Sequence, residues 1–149
     1  MTNSDDQRRQ AAGEYRTDPI AVNRLIIDEY RASGGKVERL GGTSRMLLLT
    51  TTGARSGDRH TAPVMFVRDG DRLVVFASNM GDRHHPGWYH NLLAHPEVTV
   101  ELGTETIEAV ALVTTGADRD RLWALFPFPE HQERTRRQIP VVALETRRG

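Results

Sequence analysis

The sequence feature that most constrains the fold is a polar segment, Thr50–Pro63, which lies between two apolar runs. The run before it, residues 46–49, is long enough for a buried strand and too short for a helix. The run after it, residues 64–67, alternates and leads into the turn signal Asp69-Gly70-Asp71. Two strands joined by a polar turn are the signature of a β-hairpin, so a hairpin is predicted here.

The turn of this hairpin carries groups that suit an anion. Two glycines, Gly53 and Gly57, enclose Ala54, Arg55 and Ser56. Glycine permits positive φ angles and lets a ligand approach backbone N–H groups closely. Further hydroxyls and positive charges come from Thr50, Thr51, Thr52, Arg59 and His60. Such a turn can hold phosphate or carboxylate, and the open alternative is an ordinary solvated hairpin tip.

Composition excludes several functional classes. The 149 residues suit one domain, and the net charge of zero gives no overall field that favours nucleic acid. The chain has no cysteine, which excludes disulfides, thiolate catalysis and thiolate-bound metals. No apolar stretch reaches membrane-spanning length and no secretory apolar segment opens the chain, so a cytoplasmic location is expected.

Periodicity predicts a mixed set of elements. Residues 1–17 are polar and are expected to be frayed or disordered, whereas residues 18–149 are expected to form one domain. Helices are predicted from Asp18-Pro19 to Gly34-Gly35, from Pro86 to Pro96 and from 116 to 128. Strands are predicted at 46–49, 64–67, 72–78, 97–102, 104–114 and 139–144. About six mostly antiparallel strands with peripheral helices predict a mainly β (α+β) fold built on a closed barrel.

The apolar positions also predict which helix side chains are buried. The first helix is expected to bury Val22, Leu25, Ile26 and Tyr30. The short middle helix is expected to turn inward Trp88, Leu92 and Leu93. The third helix is expected to bury Leu122, Trp123, Leu125 and Phe126. Core packing is the expected use of the first helix, and contact with a partner or with the inner face of the cell membrane stays open.

Three polar segments interrupt the apolar structure: the opening turn, the strand end Ala77-Ser78-Asn79, and the helix start at residues 85–91. A closed barrel can bring all three to one groove, where backbone N–H groups favour an anion. Trp88 can wall a flat ring there. Each residue also has a plain alternative: Trp88 as core, Ser78 as a strand-end hydroxyl and Asn91 as a helix-surface amide.

The histidines do not form a recognisable metal motif. His85 and His90 are five residues apart across a helix start, so they do not share a helical face. No acidic residue stands at a ligand spacing from them, and a metal site needs three or four converging ligands. No metal is therefore predicted.

These motifs together resemble the deazaflavin-dependent nitroreductase family, the A group of oxidoreductases that use the 8-hydroxy-5-deazaflavin coenzyme F420. The resemblance runs from about residue 40 to residue 144. It rests on the order and spacing of Leu40-Gly41-Gly42, LLTTTGARSG, Pro63, Asp69-Gly70, Ala77-Ser78-Asn79, HPGWYHNLLAHPEV and Ile139-Pro140-Val141-Val142. The family fold is a split β-barrel, which agrees with the strand count.

The resemblance implies a role for each polar segment. The anionic coenzyme tail is expected on the first turn, at Ala54, Arg55 and Ser56. The strand beneath the coenzyme is expected to be His60, Thr61, Ala62, Pro63, Val64 and Met65. The ring system is expected to be lined by Phe76, Ala77, Ser78 and Asn79. The other side of the ring is expected to be closed by Gly87, Trp88, Tyr89, His90 and Asn91.

The chain departs from the family pattern at three positions. Ala54 stands where the family usually has a basic residue, and His60 stands where it usually has arginine. Arg59 is one place off and should point to the opposite face, because strand side chains alternate. Phe128, or less well Phe126, matches a substrate-facing tyrosine of several relatives, and a phenyl ring cannot donate a proton.

The implied function is a reductase in which reduced coenzyme F420 passes a hydride to a quinone, an activated enone or a nitroaromatic. Ser78 is expected to hydrogen-bond the acceptor or deliver a proton, and Phe128 is expected to wall the acceptor pocket. One alternative is a reductase that binds flavin mononucleotide (FMN) in the same fold. Another is a non-catalytic binder of a flavin-like or lipophilic ligand. The chain is expected to be a monomer or a homodimer.

Overall fold

The computed structural model describes residues 19–37 and 45–147 of the chain. Its helices are α1 (Pro19–Ser33), α2 (Gly87–Ala94) and α3 (Gly116–Trp123). Its strands are β1 (Met46–Thr52), β2 (Arg59–Asp69), β3 (Arg72–Phe76), β4 (Glu97–Leu102), β5 (Glu105–Val113) and β6 (Val141–Thr146). Short 3-10 helices span Asn79–Gly81 and Pro129–Arg134. The predicted N-cap Asp18, the frayed segment 1–17 and the motif at residues 40–42 lie outside the described residues.

The six strands close into a barrel in the order β1-β2-β3-β6-β5-β4, and every neighbouring pair is antiparallel. The predicted barrel with peripheral helices is therefore confirmed. Alternate residues such as Leu47 and Leu49 of β1 and Val64 of β2 fill the interior. The opposite face of β1, at Met46 and Leu48, packs against α1. Within the described residues, no helix is long and apolar enough to cross a membrane.

Helix α1 docks on the barrel through Val22, Ile26 and Tyr30, as predicted, whereas Leu25 is 52% exposed and its predicted burial is wrong. The Tyr30 hydroxyl lies 3.0 Å from the Met46 carbonyl oxygen and 3.2 Å from that of Glu101. It also accepts a hydrogen bond from the Gly103 N–H at 2.8 Å. One side chain therefore ties α1 to three backbone groups of the barrel.

Three predicted boundaries move because of proline or turn geometry. Helix α3 ends at Trp123 rather than at residue 128, since Pro127 and Pro129 disfavour helical conformations at the residues before them. Strand β6 starts after Pro140, which has no N–H for a ladder bond. Strand β3 stops at Phe76 and the chain then turns into a 3-10 helix.

The predicted burial of two further leucines is also wrong. Leu93 is 54% exposed and Leu125 is 44% exposed. Helix α2 buries only Leu92 fully, because eight residues present a single narrow stripe to the barrel. Leu125 follows the end of α3, so the helical period that predicted its burial no longer applies there.

Candidate functional site

The turn between β1 and β2 is closed by its own backbone. The Gly53 N–H donates to the Asp58 carbonyl at 2.7 Å, and the Gly57 N–H donates to the Gly53 carbonyl at 3.0 Å. Gly57 has a φ of +74°, in the left-handed region that favours glycine. The second glycine of the motif is therefore required by the turn itself.

The first glycine is required by what lies above it. A Cβ at Gly53 would stand 2.5 Å from Ser56 Oγ and 3.1 Å from His60 Nε2. Ser56 Oγ accepts from the Asp58 N–H at 3.1 Å, which leaves its own O–H free to donate. We call this arrangement of Gly53, Ser56 and His60 the Gly53 cradle. A hydroxyl and an imidazole nitrogen converge there beside the glycine backbone, and the Asp58 carbonyl oxygen lies 3.3 Å from the same Cβ position.

The two arginines of the turn have different surroundings. Arg59 donates to Thr52 Oγ1 at 2.9 Å and to Thr99 Oγ1 at 2.6 Å, so it lies across the outer face of β1 and β4. His60 pairs with Thr51 on the other face, which confirms that Arg59 and His60 point in opposite directions. Arg55 is exposed and makes no ion pair or hydrogen bond with residues 19–37 or 45–147. Arg55 is thus the cation of this turn that is free to meet a ligand.

Asn91 joins the turn to helix α2. Its Oδ1 accepts from the Ala54 N–H at 3.0 Å, and its Nδ2 donates to Thr51 Oγ1 at 3.1 Å. Thr51 is fully buried, so Asn91 satisfies a hydroxyl that water cannot reach. The amide that sequence reasoning could place on a helix surface therefore braces the turn.

We expect Asn91→Ala to lower the free energy of unfolding by about 1–3 kcal/mol, the cost of leaving a buried polar group unpaired. The same change frees the Ala54 N–H and loosens the turn, so ligand affinity at the Gly53 cradle should fall as well. Urea unfolding measures the first effect, with the exposed α2 residue Leu93, changed to alanine, as control. Equal stability of Asn91→Ala and Leu93→Ala would contradict a stabilising role of the Asn91 hydrogen bonds.

The six predicted residues of β2 divide between its two faces. Ala62 and Val64 lie on the interior face with His60, and Ala62 packs against the same cluster as Trp88. Thr61, Pro63 and Met65 lie on the other face, opposite Thr50, Leu48 and Met46. Thr61 Oγ1 and Thr50 Oγ1 are 2.7 Å apart, and Met65 is 36% exposed.

The strand end after β3 buries two side chains and leaves one hydroxyl without a partner among the described residues. The Phe76 side chain is buried in a cluster under α3 and stacks on Phe126 with ring centroids 4.4 Å apart, so this side chain belongs to the core. Ala77 is fully buried. The Ser78 side chain is half-buried and forms no cap hydrogen bond at the start of its 3-10 helix. Its hydroxyl is therefore available.

The loop that follows is strained. Asn79 and Met80 have φ angles of +47° and +56°, in the left-handed region that is costly for residues with a Cβ. Asn79 Nδ2 donates to the His84 carbonyl at 3.0 Å. Non-glycine residues in this region cost roughly 1–3 kcal/mol each, and such strain clusters at ligand sites.

The start of α2 forms an aromatic wall. Trp88 and Tyr89 are partly buried against the barrel interior. The ring centroids of His85 and Tyr89 are 4.7 Å apart, and those of His85 and His90 are 5.6 Å apart. Burial raises the pKa of Tyr89, so its phenol stays protonated at neutral pH. A Cβ on Gly87 would meet nothing within 4 Å, which leaves the helix start open.

Phe128 lies directly before the 3-10 helix Pro129–Arg134. It is half-buried and stacks on His131 with ring centroids 5.4 Å apart and planes inclined by 11°. The segment that carries His131 packs against the β3–α2 loop, since a Cβ on Gly81 would come within 2.8 Å of the His131 carbonyl oxygen. Phe128 therefore belongs to a segment that packs against the β3–α2 loop.

The sequence did not mark Arg137, which stands in the charged segment 129–138. Its guanidinium donates to the carbonyls of Ala77 at 3.0 Å and Ser78 at 2.7 Å. No local signal marks it, because its partners lie about sixty residues away. A cluster of three or more histidine, aspartate or glutamate side chains fit for a metal ion is absent from the part of the chain that the structure describes.

The chain is similar to proteins described as F420H(2)-dependent quinone reductases. The profile of the F420H(2)-dependent quinone reductase family matches residues 22–146. An F420H(2)-dependent quinone reductase of Mycobacterium tuberculosis is 39% identical over 137 residues, which cover 86% of this chain and 92% of that protein.

Two solved structures are similar as well. An F420-H2 dependent reductase superposes with a TM-score of 0.62 at 36% identity, over 68% of this chain and 94% of that one. A chain described as a domain-swapped dimer superposes with a TM-score of 0.65 at 32% identity, over 86% of this chain and all of that one, a coverage of 100%.

Proposed function

The chain belongs to the F420H(2)-dependent quinone reductase family, and we propose that the polar segments described above hold coenzyme F420 beside a quinone. The protein is an oxidoreductase with coenzyme F420 as its cofactor. Reduced coenzyme F420, when bound, supplies the hydride to an electron-poor acceptor. The protein's own contribution is to bind, orient and exclude water.

The tail of the coenzyme is proposed to bind at the β1–β2 turn. Arg55 supplies an unpaired guanidinium, and the Gly53 cradle supplies the Ser56 hydroxyl and His60 Nε2. The guanidinium and the hydroxyl are donors that fit phosphate and carboxylate oxygens, which are the anionic groups of such a tail. Asn91 is proposed to act indirectly: its side chain accepts a hydrogen bond from the Ala54 N–H and so fixes the conformation of the turn. The Gly53 cradle is the observation that carries this proposal.

The ring system is proposed to lie between the Ser78 strand end and the α2 start. Trp88 offers a partly buried indole, and the segment Ala77-Ser78-Asn79 is proposed to form the facing wall. The free Ser78 hydroxyl is proposed to hydrogen-bond the acceptor carbonyl. Phe128 is proposed to wall the acceptor with an apolar face that cannot give a proton.

We expect oxidised coenzyme F420 to bind, seen as quenching of its fluorescence, and FMN to bind more weakly in the same assay. With reduced coenzyme present, a menadione-like quinone should turn over faster than a nitroimidazole, because position 128 lacks a phenol. A nitroimidazole rate above the quinone rate would contradict the role of Phe128. Binding without turnover of any quinone, enone or nitroaromatic would indicate a non-catalytic binder instead.

A second copy of the chain is the proposed protein partner. The solved relative described as a domain-swapped dimer supports this proposal at 32% identity. Sedimentation equilibrium tests it, and a single species of 16.7 kDa at micromolar concentration would contradict it.

Peripheral membrane contact is proposed through α1, where few apolar side chains are exposed. The side chains of Val22, Ile26 and Tyr30 are buried against the barrel. Ile20, 75% exposed, and Leu25, 52% exposed, remain for a lipid surface. Flotation with phospholipid vesicles tests this contact, and recovery of all protein from the bottom fraction would exclude it.

A further inference from the structure

Arg137 binds the loop between β3 and α2 at four points. Its Nη1 donates to the Ala77 carbonyl at 3.0 Å, and its Nη2 donates to the Ser78 carbonyl at 2.7 Å. Its Nε donates to the Asp82 carbonyl at 3.0 Å. Its Nη1 also lies 2.9 Å from His85 Nδ1. A rigid planar fork of donors suits this task, which a lysine ammonium could perform only in part.

The contact with His85 fixes the state of that imidazole. A guanidinium has donors only, so His85 Nδ1 must accept and the ring proton must sit on Nε2. Burial lowers the pKa of His85, and electrostatic interactions with Arg137 and His90 lower it further. Tyr89, the remaining ring against His85, is uncharged at neutral pH. His85 is therefore held neutral, with its Nε2–H as the one donor.

The loop needs such support because its backbone is strained. Asn79 and Met80 adopt left-handed φ angles of +47° and +56°, and residues with a Cβ keep such angles only where their surroundings enforce them. Arg134 adds a hydrogen bond to the Met80 carbonyl at 3.3 Å. No aspartate or glutamate of the described ranges forms an ion pair with Arg137, so backbone carbonyls are its main acceptors.

We propose that Arg137 is a positioning residue of the coenzyme site. It fixes the distance between the Ser78 wall and the α2 wall through its hydrogen bonds to the loop carbonyls and to the His85 ring. The proposal rests on the function given above. Ser78 is held on one side through its carbonyl, and His85 contacts Tyr89 on the other. Removal of the guanidinium should therefore change the distance between the two walls.

The test compares Arg137→Gln, Arg137→Lys and the neighbouring exposed Arg136→Gln in the full chain. Imidazole ¹⁵N NMR without coenzyme reads the tautomer and pKa of His85. Fluorescence quenching gives the Kd of oxidised coenzyme F420, and steady-state assays with a menadione-like quinone separate kcat from KM. In Arg137→Gln we expect His85 to populate both neutral tautomers instead of the Nε2–H tautomer alone. We also expect the pKa of His85 to rise toward its ordinary value.

The same variant should weaken coenzyme binding about tenfold and lower kcat more than the quinone KM rises. Arg137→Lys should recover part of each effect, and Arg136→Gln should match the parent. A folded Arg137→Gln with parental His85 spectra and kinetics would overturn the proposal. If Arg137→Gln does not fold, Arg137→Lys decides by the same readouts. If the parent binds no coenzyme, the proposed function fails, while the His85 spectra still report whether Arg137 holds that ring.

Discussion

Arg55→Ala should raise the Kd of oxidised coenzyme F420 by about 10- to 100-fold, since a hydrogen bond to a charged group contributes about 1.5–3 kcal/mol. Arg55 is the exposed guanidinium of the β1–β2 turn, with no ion pair or hydrogen bond to the described residues. Its loss therefore removes ligand contacts and leaves no internal group unpaired. Fluorescence quenching of the oxidised coenzyme measures the change.

The matched control is Arg24→Ala, which removes an exposed arginine from α1. This variant should bind as the parent does. Arg55→Lys should fall between the two, because lysine keeps the charge but cannot form a fork on phosphate or carboxylate. The parent's affinity should weaken as salt rises, more steeply than that of Arg55→Ala. Parental affinity of Arg55→Ala would place the coenzyme tail elsewhere.

Tyr30→Ala should lower the free energy of unfolding by about 3–5 kcal/mol, the range for removal of a large buried aromatic side chain. Tyr30 is 1% exposed, and its hydroxyl contacts the Met46 and Glu101 carbonyls and the Gly103 N–H. The variant leaves both a cavity under α1 and unpaired backbone groups. Urea unfolding measures the change, with a melting temperature roughly 6–20 °C lower as a second readout.

Two further variants separate the contribution of the Tyr30 hydroxyl from that of its ring. Tyr30→Phe keeps most of the ring volume and should cost about 1–3 kcal/mol, the price of the unpaired polar groups alone. Leu25→Ala, at a half-exposed position of the same helix, should change stability by less than about 0.5 kcal/mol. Equal stability of Tyr30→Ala and Leu25→Ala would show that α1 is not part of the cooperative fold.

The sequence was informative where a local pattern encodes the answer. The polar segment between two apolar runs predicted the β1–β2 hairpin, and alternation predicted that Arg59 and His60 face opposite ways. Both predictions are confirmed. Patterns failed at helix ends: Leu125 continues the period of α3 in sequence, but the helix has already ended and the side chain is exposed.

Side-chain roles that depend on distant partners were beyond the reach of the sequence. Asn91 contacts Ala54 across 37 positions, and Arg137 contacts Ala77 across 60. A helix-surface amide was one of two interpretations of Asn91, and no local pattern marked Arg137. Phe76 belongs to the predicted ring-lining segment, yet its side chain is in the core because β3 turns that residue toward α3.

The sequence by itself determined the barrel, its turn motif and the resemblance to deazaflavin enzymes, because hydrophobic period and motif order are local properties of a chain. Only the tertiary structure decided which cation of the turn is free, what braces the turn and what holds the β3–α2 loop. Those answers depend on barrel closure, which brings Arg137 to the end of β3 and Asn91 to the end of β1. Hydrogen bonds between residues so far apart leave no periodic trace in the sequence.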